Sequence, residues 1–279
     1  MKRLVTIQDI SCFGKCSSTV ALPIISALGI ETVILPTAIL STHTGEFENY
    51  TFLSLTDEMG KISTHWKDEN IEFDAIYVGY IGSIQQIDII CEFIDNFRGE
   101  NTIVYVDPAM ADNAKLYSGI SHEYVQATKK LLKKADIISP NIYEAMLLVD
   151  EECKSEYTHD EAKQILYSLG ELCDKSIITG VHLGDKILTL GYDKTNDEFF
   201  EVENEKIEGM FYGTGDIFAS VFIGTYLRGL PFPDAISSSD AFIQKCIIKT
   251  LDEKEKYWYG INFEMCLDEL FKILKSKDN

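Results

Sequence analysis

The run Gly213-Thr214-Gly215-Asp216 sets two glycines around a threonine, adds a carboxylate, and then turns apolar as far as Leu227. Glycine tolerates left-handed backbone and lets another molecule approach the main chain closely. A helix beginning here would aim unpaired N–H groups over the glycines, and such a terminus attracts anions, phosphate above all. Asp216 beside an anion site is out of place unless it handles a proton. Taken alone, the tetrapeptide is better read as a capped helix start, because an acidic first turn suits the helix dipole. Its surroundings have to shift that balance.

Asp9, Asp107, Asn141 and Thr179 each stand at the end of another apolar, strand-like run. Those runs are 4–7, 102–106, 135–139 and 175–181, joined by further strands at 32–35 and 73–78. Residues 187–192 and 199–202 read as a hairpin. Helices are expected from the Ser17-Ser18-Thr19 caps to Leu28, with Pro23 tolerable only in or near the first turn. Others are expected over 56–70, 84–97, 124–134, 158–172, 217–229, 232–250 and 263–275, with 111–121 a loop. Such strand–helix alternation implies an α/β fold with a mostly parallel sheet covered on both faces. Ligands in such sheets sit at the carboxyl ends of the strands. Five polar or acidic residues at those ends, Asp216 among them, lift the site reading above the cap reading.

The chain has 279 residues, 46% of them hydrophobic, and a net charge of −20. One large domain over 1–279 is the expectation. The acidic balance argues against nucleic acid and anionic membrane surfaces as partners. The apolar stretch near Met1 is too short for a signal peptide, and no run approaches a membrane span. Seven scattered cysteines without a C-x-x-C pair suit a reduced, cytoplasmic protein. Cys12 and Cys16 lack the partners for a zinc set. Gly14-Lys15 fails as a phosphate-binding Walker loop, since Cys16 stands where Ser or Thr is needed.

The chemistry then divides into two edges. Thr37, His43, Thr44 and Tyr80 suit a flat polar small molecule. Asp107, Asn141 and Glu144 supply hard oxygens for Mg²⁺ carrying a nucleotide, although Asn141 and Glu144 read equally as a helix capping box. Phosphoryl transfer needs an acceptor hydroxyl, a base, an anion hole and Mg²⁺. Asp216 is the natural base, and the N–H groups of Gly213, Thr214 and Gly215 the natural anion hole.

These residues carry a resemblance. Gly213-Thr214-Gly215-Asp216 is similar to the anion-hole and catalytic motif of the ribokinase superfamily. Ser41-Thr42-His43-Thr44, Gly79-Tyr80-Ile81-Gly82-Ser83, Val106-Asp107-Pro108-Ala109-Met110 and Ser139-Pro140-Asn141-Ile142-Tyr143-Glu144 resemble segments of its vitamin B6 kinases, in the same order. The resemblance implies a ribokinase-like three-layer fold with a small β flap among the β-segments after strands one and two. It implies ATP-dependent phosphorylation of the 5′-hydroxymethyl of pyridoxal, pyridoxamine or pyridoxine, with Asp216 as base. It places Asp9, Ser11, His43, Thr44, Tyr80 and Tyr117 around the ring. It places Asp107, Asn141, Glu144, Thr179 and Gly180 near ATP, with Glu144 and Asp107 on Mg²⁺. A monovalent cation such as K⁺ and a homodimer are further family expectations.

Two departures stand out. Asp9 occupies a position where these kinases carry serine. Ala111 and Ala114 replace two glycines of a turn, which matters if either position needs a positive φ. A kinase of hydroxymethylpyrimidine, a sugar or a nucleoside is the nearest rival, and a non-catalytic vitamin B6 binder a more distant one.

Overall fold

The computed structural model describes every residue except 113, 114, 118, 155, 254 and 276–279, with side chains as far as residue 273. Its strands are β1 (Arg3–Ser11), β2 (Glu31–Leu40), β3 (Phe52–Ser54), β4 (Ala75–Val78), β5 (Ile103–Val106), β6 (Ala111–Asp112), β7 (Lys115–Leu116), β8 (Ile137–Ile138), β9 (Lys175–Leu183), β10 (Lys186–Asp193) and β11 (Glu198–Glu205). Nine of them form one sheet in the order β11-β10-β9-β8-β5-β4-β1-β2-β3. The run from β9 to β2 is parallel, while β10, β11 and β3 are antiparallel additions at the edges.

The central strands are apolar at consecutive positions because both faces are covered. Val5, Ile7, Ile76, Val78, Val104, Val106 and Ile138 point to one side. There they meet α2 (Thr56–Asp68), α3 (Ile84–Phe97), α4 (His122–Leu132), α5 (Ile142–Leu148) and α6 (His159–Leu169). Leu4, Ala75, Tyr77, Tyr105, Ile137 and Ile177 point to the other. They meet α1 (Ser18–Ala27), α7 (Thr214–Leu227) and α8 (Phe232–Leu251). The short 3₁₀ turn Phe263–Cys266 and α9 (Leu267–Lys275) close the outer side of α1 and α8.

Helix α7 lies between the sheet-facing cluster and this outer one, which is why it is apolar nearly all round. Its Gly224 lets α1 come close: an added Cβ would fall 2.3 Å from Leu28 Cδ1. The Ser220 hydroxyl donates to the Asp216 carbonyl at 2.5 Å, tying the second turn to the first.

Several sequence expectations need correction. Pro23 sits well inside α1, beyond its first turn. Without an N–H it leaves the Thr19 carbonyl, four residues back, without its helical donor. Part of the expected loop 111–121 is the β6–β7 ladder. The final expected helix opens as a 3₁₀ turn, and α7 begins at Thr214 rather than Ile217. Strands β1 and β2 run on to Ser11 and Leu40, and β3 pairs with the far end of β2, where the flap was sought. Ala111 is a strand residue without a positive φ, so it needs no glycine; Ala114 lies outside the described residues.

Candidate active site

Gly213 is the hinge of the site. It caps α7 with φ 85° and ψ 4°, the left-handed conformation glycine favours. A Cβ there would fall 2.1 Å from the Lys15 carbonyl oxygen. Two independent constraints therefore demand glycine. No side chain caps α7, so the first-turn N–H groups stay free for an external acceptor. Gly215 is exposed and Asp216 partly so, while Asp107 Oδ2 lies 4.0 Å from where a Gly215 Cβ would be. The first turn of α7, Asp216 and Asp107 thus lie together at the carboxyl end of the sheet.

The sequence-selected carboxylates gather there. Burial pushes Asp216 up to about 7, with Asp9 adding repulsion and the Ser17 N–H pulling the other way. Burial also holds Asp107 well above the usual carboxylate range, reinforced by Glu144 and Asp216. Glu144, 2% exposed, is pushed up to about 8 by burial against the pull of three backbone N–H groups. Its Oε1 accepts from Met110 at 2.9 Å and Ala111 at 3.2 Å, and its Oε2 from Asn141 at 2.9 Å. Asn141 Oδ1 in turn accepts from Tyr143 and Glu144, completing a capping box, and its Nδ2 donates to the Ala111 carbonyl. The capping box read from the sequence is therefore present. Glu144 clamps the segment after Asp107 to the start of α5.

Removing that clamp has a predictable cost. Glu144→Ala leaves three buried N–H groups without a partner, each worth about 1–3 kcal/mol. We expect a clear drop in melting temperature together with weaker ATP binding. A variant melting like the parent would show that the clamp does not hold this segment.

Asn141 and Thr179 form a parallel bridge that prolongs the β8–β9 pairing, and Thr179 N–H donates to the Pro140 carbonyl at 3.1 Å. Gly180 follows with φ 70°. These two residues lie on the Asn141 side, as expected. Tyr117 is 37% exposed, and Glu144, Asp112, Asp216 and Asp107 all raise its hydroxyl pKa after burial. It therefore sits over the acidic cluster, rather than with Asp9.

The ring-side residues form a second group. Asp9 is buried on β1, where the pairing with β2 slips by one residue between Gln8 and Ile10. Ser11 Oγ donates to Asp9 Oδ2 at 2.9 Å. Burial raises Asp9, with Ser17 and Ser11 opposing. Tyr80 is half-buried nearby, its hydroxyl pKa raised by burial, Asp9 and Tyr50, and its carbonyl accepts from Thr37 Oγ1 at 3.2 Å. Thr44 is exposed. His43 is buried with both ring nitrogens engaged: Gly45 N–H donates to Nδ1 at 3.0 Å, leaving Nε2 to donate to the Tyr259 carbonyl at 2.7 Å. Burial lowers its pKa. His43 thus secures its loop, with Thr44 beside it left open.

Sequence reasoning missed what joins these groups. Ser17 has φ 53°, and its N–H faces Asp216 while its hydroxyl faces Asp9. Cys16 is packed beside both carboxylates, and burial drives its thiol far upward. Residues 257–264 brace the whole arrangement. Phe13 packs on Tyr259 and Phe47 on Trp258, Ile261 N–H donates to the Tyr212 carbonyl, and Lys15 reaches Asn262 and Glu264. The positive φ of Ser17 is invisible in a Ser-Ser-Thr string, and the aromatic run carries no local signature.

No group of three or more His, Cys, Asp or Glu residues among those described could hold a metal ion alone. A cation arriving with a nucleotide needs only one or two protein carboxylates. The mutual repulsion of Asp107, Glu144 and Asp216 fits such a visitor.

Residues 22–259 match the phosphomethylpyrimidine kinase family. A pyridoxal kinase of Arabidopsis thaliana is 30% identical over 67% of this chain and 62% of its own length. A Bacteroides thetaiotaomicron protein, provisionally named a phosphomethylpyrimidine kinase and solved in a crystal form with pyridoxal, is 36% identical with a TM-score of 0.92. That match covers 96% of this chain and 95% of the other. A pyridoxal kinase of Lactobacillus plantarum superposes with a TM-score of 0.91 at 25% identity over 98% of each chain. The chain belongs to the phosphomethylpyrimidine kinase family of the ribokinase superfamily and is similar to pyridoxal kinases in sequence and fold.

Proposed function

We propose that this chain transfers the γ-phosphoryl group of ATP to the 5′-hydroxymethyl of a vitamin B6 vitamer. The observation that carries the reading is Asp216 in the first turn of α7, directly after the uncapped, left-handed Gly213. Asp216 takes the proton of the acceptor hydroxyl. The N–H groups at the start of α7 neutralise charge on the group in transfer. The acceptor lies on the Asp9, Tyr80 and Thr44 side, the nucleotide on the Asp107, Asn141 and Thr179 side. Asp107 would hold magnesium, and Glu144, whose oxygens already take backbone bonds, would act on it through water. Magnesium, when bound with the nucleotide, offsets the phosphate charge.

Hydroxymethylpyrimidine is the second reading, supported by the description of the matching family. The two differ in the ring. Pyridoxal, pyridoxamine, pyridoxine and hydroxymethylpyrimidine should be offered in parallel with ATP and Mg²⁺, with and without K⁺. We expect a vitamer to have the highest kcat/KM. Transfer to the pyrimidine alone would sink the choice. The same preparations, passed through a sizing column, test the homodimer expected from the family.

A further inference from the structure

Asp9 is only 4% exposed, yet its hydrogen-bonding neighbours are neutral. Ser11 donates to it at 2.9 Å, and the Ser17 hydroxyl is its other side-chain neighbour. The remaining groups that sense its charge are the Tyr80 hydroxyl, the Cys16 thiol, Asp216 and His43. His43 is the basic one, and its ring is committed to Gly45 and Tyr259 as a neutral imidazole. Lys15, close in sequence, spends its ammonium on Glu264 at 2.6 Å. A buried carboxylate met only by neutral donors is costly unless a cation completes it. Asp9 lies close enough to Asp216 to repel it, so an acceptor that presents its hydroxyl to the base comes near Asp9.

We propose that Asp9 supplies the counter-charge to a protonated nitrogen of the acceptor, making it a specificity-determining residue that selects cationic ring alcohols over neutral ones. This rests on the vitamin B6 reading of the site. Two nitrogens could serve: the pyridine nitrogen common to all three vitamers, and the aminomethyl nitrogen that pyridoxamine alone carries. Pairing has a second effect. It relieves the repulsion Asp9 exerts on Asp216, so the base ionises more readily once the acceptor is seated.

The test uses Asp9→Asn and Asp9→Ser, with folding checked by thermal unfolding and Asp9→Glu as the variant that keeps the charge. KM for each vitamer is measured, alongside direct titration of vitamer without ATP. We expect the two neutral variants to raise KM tenfold or more, a larger change than any fall in kcat, and Asp9→Glu to recover part of the loss. An equal rise for all three vitamers assigns the ring nitrogen. A rise confined to pyridoxamine assigns the aminomethyl group. Wild-type KM for every vitamer in a neutral variant overturns the proposal, and so does a Glu variant no better than Asn. If the parent binds vitamers through Asp9 but transfers no phosphate, the kinase reading fails and this inference stands. If it binds none, both fail.

Discussion

Asp216→Asn should lower kcat for vitamer phosphorylation by about 10²–10⁴-fold, the range for loss of a general base. The amide keeps the shape of the side chain and the first turn of α7, so vitamer affinity measured by titration should change only a few-fold. A loss confined to kcat marks an interaction made in the transition state. Near-parental turnover in this variant would end the assignment of the base. The parent enzyme offers an independent check. Because burial holds Asp216 up to about 7, the ionised form able to accept a proton builds up as pH rises through neutrality. Activity should therefore climb between pH 6 and 8 and level off above. A profile already flat at pH 6 would mean a base of ordinary acidity.

Gly213→Ala carries the second large effect. The new methyl meets the Lys15 carbonyl at 2.1 Å, and the backbone carries φ 85°, where an L residue is strained. Backbone oxygen cannot swing aside as a side-chain tip can. The turn must shift, and the first N–H groups of α7 shift with it. We expect a stability loss of about 1–3 kcal/mol and a kcat loss of about 10²–10³-fold, as for a displaced oxyanion-hole donor. A folded Ala variant with parental kcat would show that the cradle tolerates movement and does not stabilise the group in transfer.

The layers of this fold were legible because the physics that builds them is local. Consecutive apolar residues in 73–78 and 102–106 require cover on both faces, and β4 and β5 receive it. The Ser83 cap and the Thr158-to-Glu161 capping box lie within a few residues of the helices they start. Asp9, Asp107, Asn141 and Thr179 could be nominated since each ends an apolar run in the sequence, although β1 and β9 run on past Asp9 and Thr179. What joins them could not. Ser17 acquires its role only when Asp9 and Asp216, distant in sequence, are brought to either side of it. His43 looked like a ring-facing donor among hydroxyls. Its partner is a backbone carbonyl 216 positions away, which no periodicity reports.

The brace at residues 257–264 has a consequence for how the enzyme is made. A ribosome delivers the chain from its amino end, and domains can begin to fold as they emerge. The sheet order sets β5, β4, β1 and β2 side by side, so much of the scaffold can assemble early. The loop bearing His43 and Thr44 has no Tyr259 to grip until more than two hundred further residues have been made, and Tyr212 lacks Ile261 until about the same moment. A nascent chain therefore carries its hydroxyl-rich loop unlatched until residue 259 has been made. That loop is latched in one step, when residues 257–264 close onto Phe13, His43 and Phe47.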